Sequence, residues 1–118
     1  MISLGAELKV VVCSQPVDFR CGINSLSAFV AAALKSSPYC GDVFIFRSKR
    51  KDRLKLLAWD GSGMVLVTKW LEAEGGFIWP AVTAGKIEIS PEQMAVLVAG
   101  LDWTRVASVP VRRPTKVG

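Results

Sequence analysis

The chain has 118 residues, 51% of them apolar, and a net charge of +5 at pH 7. This length suits one domain with its own hydrophobic core, so metals or disulfides are not needed for folding. With no histidine and an odd number of cysteines, we expect no disulfide framework, no metal site and no cofactor. No stretch reaches the roughly 20 apolar residues of a membrane span, and the N-terminus lacks the features of a signal peptide.

The first 40 residues contain one predicted strand and one predicted helix. The compact apolar run from Leu8 to Cys13 is typical of a buried strand. Apolar residues at three- and four-residue steps then predict an amphipathic helix over 24–35, which Asp18 or Asn24 would cap and Pro38 would help to end. We interpret the cysteines as small core residues of a reduced cytoplasmic protein: Cys13, Cys21 and Cys40.

The stretch from Gly41 to Pro80 has the pattern of a three-stranded antiparallel meander. Its apolar runs are separated by polar turns, the second of which is Asp60-Gly61-Ser62-Gly63, a strong hairpin signal. Both alternating faces of the second and third runs are apolar. Such a sheet needs a helix on one face and more sheet or a partner subunit on the other.

The C-terminal part predicts two short strands, at 77–79 and 86–89, and a second helix at 91–99. Ser90 with Pro91, Glu92 and Gln93 forms a capping-box start. The predicted fold is therefore α+β, a largely antiparallel sheet of about five to six strands covered by two helices. We expect a single domain over residues 1–103 and a basic, flexible tail over 104–118.

Basic residues concentrate in and beside the first turn of the meander. Six bases against the single acid Asp52 give a local charge of +5, which equals the net charge of the chain: Arg47, Lys49, Arg50, Lys51, Arg53 and Lys55. Such clusters bind nucleic-acid phosphates, and two-stranded ribbons can enter the DNA major groove. The alternative is a solvated turn that carries lysine for solubility.

Enzyme signatures are missing from the sequence. It contains no phosphate-binding loop, no nucleophile elbow and no histidine base. Turn and cap roles explain the aspartates better than metal binding does, and Cys21 has no acid–base partner for a catalytic thiol. We therefore predict no enzyme activity and no catalytic residue. The aspartates considered are Asp18, Asp42, Asp60 and Asp102.

The four tryptophans lie among apolar neighbours, which favours core or interface positions over base stacking. Because both faces of the central hairpin are apolar, Trp59 and Trp70 are the candidates for a protein interface. They would be buried in a homodimer or in a complex with another protein.

A set of ordered motifs gives a family resemblance from about Val10 to Arg105. The chain resembles the small TnpB accessory proteins (Orf2-like) of the insertion-sequence family numbered sixty-six. It departs from the family pattern at Cys21, Ser25 and Trp70, which removes two basic residues. The motifs are Asp18-Phe19-Arg20 with Gly22, Phe44-Ile45-Phe46-Arg47, Trp59-Asp60-Gly61, Phe77-Ile78-Trp79-Pro80 and Leu101-Asp102-Trp103.

The resemblance implies a role in transposition of the element, and two hypotheses follow. In the first, the protein is a non-enzymatic accessory factor that binds DNA through the basic hairpin, with Arg20 and Lys69 extending the patch. In the second, it is an assembly adaptor. The adaptor would bind the transposase or a sister accessory protein through the apolar sheet surface without contacting DNA.

Overall fold

A computed structural model of the chain describes residues 8–72 and 74–106. They form an α+β fold, as predicted, with one five-stranded sheet in the order β4-β3-β2-β1-β5. The β1 and β2 strands are parallel, and the other neighbouring pairs are antiparallel. The elements are β1 (Val10–Cys13), α1 (Ile23–Ala32), β2 (Val43–Arg47), β3 (Arg53–Trp59), β4 (Met64–Trp70), β5 (Lys86–Ile89) and α2 (Pro91–Val98), with 3₁₀ turns at Val82–Ala84 and Trp103–Arg105.

The α1 helix connects the two parallel strands and covers one face of the sheet. Leu26 and Val30 are fully buried there, against Phe44, Phe46 and other residues of that face. The helix begins after Gly22 and has no side-chain cap, so the prediction that Asp18 or Asn24 caps it was wrong. It also ends three residues earlier than predicted, before Lys35 adopts a positive φ of 55°.

The α2 helix and the segments on either side of it cover the opposite face, where further sheet or a partner subunit was expected. The capping box of Ser90 and Gln93 is present as predicted. Leu97 and Trp103 pack with Phe77 against the central strands. The predicted strand at 77–79 was wrong, because this segment has no strand partner and instead lies against the turn between β2 and β3.

The predicted meander is confirmed as β2, β3 and β4, with β4 at one edge of the sheet. Burial falls steeply across it. All five β2 residues are buried, whereas Val67 and Trp70 of β4 are 44% and 61% exposed. Of the cysteines predicted to lie in the core, Cys13 is buried there and Cys21 is partly buried against it, whereas the prediction was wrong for Cys40, which is exposed. None of the described helices has the length and apolar character needed to cross a membrane.

Candidate nucleic-acid interface

The turn between β2 and β3, residues 48–52, is called the basic turn below. Its first three carbonyl groups accept hydrogen bonds from side chains within or beside the turn. The Arg47 guanidinium donates to the carbonyl oxygens of Ser48 at 3.1 Å and of Lys49 at 3.3 Å. The Ser48 hydroxyl donates to the carbonyl oxygen of Arg50 at 2.6 Å. These bonds close the first half of the turn on itself.

The remaining two carbonyl groups accept hydrogen bonds from the segment that follows β4. The Lys51 oxygen accepts from the Phe77 N–H at 2.9 Å and from the Trp79 indole at 3.0 Å. The Asp52 oxygen accepts from the Leu71 N–H at 2.7 Å. All five carbonyl groups of the turn are therefore satisfied from the protein side, and its backbone is held rigidly.

Gly76 makes this close packing possible. Its φ is +73°, and a Cβ atom at this position would lie 2.6 Å from both the carbonyl carbon and oxygen of Lys51. Only glycine adopts this backbone conformation at so short a distance. The side chains of Lys49, Arg50 and Lys51 remain exposed on the outer surface of the turn.

Two of the six predicted contact residues are buried instead. Arg47 and Lys55 are each only 7% exposed. Besides its hydrogen bonds, Arg47 lies over the Trp79 ring at 5.9 Å. The Lys55 ammonium donates to the Cys21 carbonyl oxygen at 2.7 Å and lies 4.7 Å from the centre of the Phe19 ring. Both cations hold the base of the hairpin to neighbouring segments.

The residues predicted to extend the patch have different environments. Arg20 is highly exposed and pairs with Asp18 at 2.8 Å. That hydrogen-bonded pair holds the pKa of Asp18 well below its usual range, and the nearby Lys49 charge lowers it further. The Lys69 ammonium instead donates to the Val98 carbonyl oxygen at the end of α2, at 2.7 Å. Arg20 therefore adjoins the basic turn as an exposed cation, whereas Lys69 is tied to a helix end.

Arg53 lies at the start of β3 against an exposed tryptophan. Its guanidinium carbon is 3.9 Å from the centre of the Trp70 ring, and its Nε atom is 3.9 Å from Asp52. Trp59, the other predicted interface tryptophan, is half-buried and packs edge-on against Tyr39 at 5.6 Å. Of the two positions predicted for the tryptophans, core or interface, the core is therefore wrong for Trp70, which is 61% exposed.

An open groove of about 390 Å³ runs beside the basic turn. One wall is the loop after β1, and the other is the turn with the first residue of β3. The groove combines apolar and cationic surfaces, with one carboxylate at its edge. Its lining residues are Pro16, Val17, Asp18, Phe19, Ser48, Lys49, Arg50 and Arg53.

The aspartates examined for chemistry make local structural contacts. The Asp60 carboxylate accepts from the N–H groups of Ser62 and Gly63, both at 2.9 Å, and these bonds lower its pKa. Asp102 accepts from the hydroxyl and N–H of Thr104, which also lower its pKa. Among residues 8–72 and 74–106, no three potential metal-ligating side chains cluster together.

Sequence reasoning missed two parts of this region, the Arg53–Trp70 stack and the support that the 71–79 segment gives to the turn. The first follows from strand register, because Arg53 lies directly opposite Trp70 in the β3–β4 pair. The Gly75-Gly76 pair was the only local signal of the second. The cations of the predicted tail at residues 107–118 lie outside the described residues. The boundary predicted between the domain and this tail, after residue 103, falls within the 3₁₀ turn Trp103–Arg105.

Comparison with known proteins identifies the family. The family model described as IS66 Orf2 like protein matches residues 8–108. An uncharacterized protein of Sinorhizobium fredii, y4jC, is 58% identical over 117 residues, covering 99% of each chain. A second from the same strain, y4hO, is 39% identical over 118 residues and the full length of both chains. No solved structure matches the chain. The chain belongs to the IS66 Orf2-like family, which fits an insertion-sequence accessory protein.

Proposed function

We propose that the protein is a non-enzymatic accessory factor of transposition that binds DNA through the basic turn. One observation carries the proposal. The carbonyl groups of the turn are hydrogen-bonded toward the protein, and three consecutive cations, Lys49, Arg50 and Lys51, extend from its outer surface. A rigid backbone that presents clustered cations suits a polyanion with regularly spaced phosphates.

The burial of Arg47 and Lys55 changes how the proposal uses the predicted residues. These two side chains position the turn, and the phosphate contacts come from Lys49, Arg50 and Lys51, joined by Arg20 where phosphate replaces its Asp18 partner. Three or four contacts predict a slope of log K against log salt of about −3 to −4, at roughly 0.9 per phosphate. Because phosphate contacts carry no sequence information by themselves, this binding is expected to be similar for different sequences.

The first prediction concerns the triple variant K49A/R50A/K51A. We expect it to weaken duplex binding for every sequence tested and to flatten the salt slope by about two to three units. Fluorescence anisotropy with labelled duplexes over a series of salt concentrations measures both effects.

The matched control removes three exposed charges elsewhere, in K9A/K35A/R105A. These residues lie outside the basic turn, so this variant should keep nearly all of the slope. Both triples are made in a full-length background with Arg112, Arg113 and Lys116 changed to Ala, which removes the tail charges as a second source of binding. Equal slopes for the two triples would show that the turn is a solvated surface.

The exposed side of β4 supports a second candidate function, the adaptor. Val67 is 44% exposed on an edge strand, and an apolar strand edge is a common site of protein association. The adaptor would bind the transposase or a sister accessory protein of the same element. Co-purification with co-expressed transposase that survives nuclease treatment and the K49A/R50A/K51A substitutions would favour this function over DNA binding.

A further inference from the structure

We propose that the Arg53–Trp70 stack and the adjoining groove form a binding site for single-stranded DNA. This inference rests on the proposed function and specifies the form of DNA that the site takes. Trp70 is the most exposed tryptophan described, at 61%, although large aromatic side chains are normally buried. It lies at the end of β4, directly opposite Arg53. Arg53 is the first residue of β3 and follows the basic turn directly.

Strand register places the stack on the same face of the sheet as the groove. Arg53 and Lys55 are two residues apart in β3, so their side chains share a face, and their cross-strand partners Trp70 and Thr68 share it too. Lys55 contacts Phe19 on this face. Phe19 and Arg53 both line the groove. Arg53 therefore connects the cationic groove to the exposed indole.

The chemistry of the stack suits an unpaired base. An indole offers a flat π surface on which any base can stack, and an arginine held against the ring adds a cation beside it. The guanidinium carbon of Arg53 lies 3.9 Å from the ring centre. Its Nε atom is buried without a hydrogen-bond partner among the described residues. The stack on Trp70 and the ion pair with Asp52, whose carboxylate is 3.9 Å from this atom, therefore hold the guanidinium in place.

The groove supplies the phosphate contacts that a strand leaving the indole would need. Lys49 and Arg50 line it together with the apolar surfaces of Pro16 and Val17. Bases in a duplex are already stacked on their neighbours and are not available to Trp70. A single strand can place a base on the indole while its backbone follows the cations, so the site should prefer single strands to duplexes.

The test compares a labelled oligothymidine of about 12 nucleotides with a mixed-sequence duplex of about 12 base pairs. Both are titrated into the full-length protein and its variants at one salt concentration. We expect W70A to weaken single-strand binding about tenfold and to change duplex binding less than about twofold. L101A, which removes exposed apolar surface outside β4, should change neither.

A second pair of variants keeps the test valid if W70A does not fold. W70F retains an aromatic ring, whereas W70L retains apolar bulk without a stacking surface. We expect W70F to bind the single strand within about threefold of the parent and W70L to bind about tenfold more weakly. Equal binding by these two variants, or equal losses of single-strand and duplex binding in W70A, would overturn the inference.

The experiments distinguish a failure of this inference from a failure of the proposed function. If K49A/R50A/K51A weakens duplex binding while the Trp70 variants leave single-strand binding unchanged, the turn binds DNA and Trp70 has no part in it. If the triple substitution changes binding of neither form, the proposed function fails and this inference fails with it.

Discussion

At the scale of single residues, burial separates the predicted cluster of cations into two groups, one that positions the basic turn and one that is exposed on its surface. Arg47 and Lys55 look the same as Lys49 or Arg50 in the sequence, and the cluster was predicted as one patch. The structure buries the first two against Trp79 and Phe19. Their partners come from segments distant along the chain, so charge spacing alone does not reveal this division.

Gly76 is the residue on which the support of the basic turn depends most directly. We expect Gly76→Ala to lower the free energy of unfolding by about 2 kcal/mol or more, because it combines backbone strain with a clash against Lys51. Gly75 is the matched control. Its φ is also positive, at +86°, but nothing lies within 4 Å of an added Cβ. Gly75→Ala should therefore cost only about 1–2 kcal/mol of strain.

Urea denaturation of both glycine variants measures this difference. If the Gly75→Ala and Gly76→Ala proteins have the same free energy of unfolding, then the 71–79 segment does not hold the turn as described. The carbonyl contact of Lys51 would then have no special importance for the stability of the protein.

At the scale of elements, two signals contained in a few adjacent residues predicted correctly, although the local cap prediction for α1 did not. The capping box of α2 and the Asp60 turn depend on contacts over three residues, and both are present. The strand predicted at 77–79 failed for the opposite reason. An apolar triplet fits a strand, but its hydrogen bonds go to the basic turn rather than to a neighbouring strand.

The Asp60 turn between β3 and β4 gives a prediction about acid stability. Hydrogen bonds from Ser62 and Gly63 lower the pKa of Asp60 below its ordinary value of 3.8. A carboxylate with a depressed folded-state pKa stabilises the protein above its unfolded pKa, and this stability is lost as the pH falls through the folded value. The free-energy gap between the parent and D60A should therefore be larger near about pH 6 than near about pH 2.5.

Asp60→Asn provides the control for this titration. It keeps an oxygen that can accept the turn hydrogen bonds but has no charge to lose. D60N should be more stable than D60A at every pH. Its free energy of unfolding should depend on pH as weakly as that of D60A. A gap between parent and D60A that is constant from about pH 6 to about pH 2.5 would contradict the assignment.

At the scale of the whole molecule, the fold class was predictable from sequence but the order of the strands was not. Alternating apolar runs and two amphipathic helices identify an α+β fold. The parallel pairing of β1 with β2, and the return of β5 to the far side of β1, join segments separated by long stretches of chain. No local pattern specifies such pairings. Both faces of the sheet are covered by the chain itself, and the large exposed apolar residues of the described strands, Val67 and Trp70, both lie on the β4 edge.

This open edge supports the prediction of a homodimer. Two β4 strands can pair antiparallel across a two-fold axis, which would cover Val67 and bring Trp70 near the interface. We expect light scattering to give twice the mass of one chain at high concentration and Val67→Lys to return the protein to a monomer. Leu101→Lys introduces the same charge at an exposed apolar residue outside β4 and should leave the dimer intact. A single-chain mass at every concentration would contradict the homodimer.

The hydrogen bonds of the basic turn also allow the residues at positions 49–51 to be substituted while the turn keeps its conformation. Every bond that fixes the turn uses a backbone carbonyl or a side chain outside positions 49–51. The identities of those three residues therefore place few demands on folding, and exposed substitutions of this kind usually change stability by less than about 0.5 kcal/mol. Ligand preference can diverge at these positions, or be redesigned there, without rebuilding the scaffold that presents them.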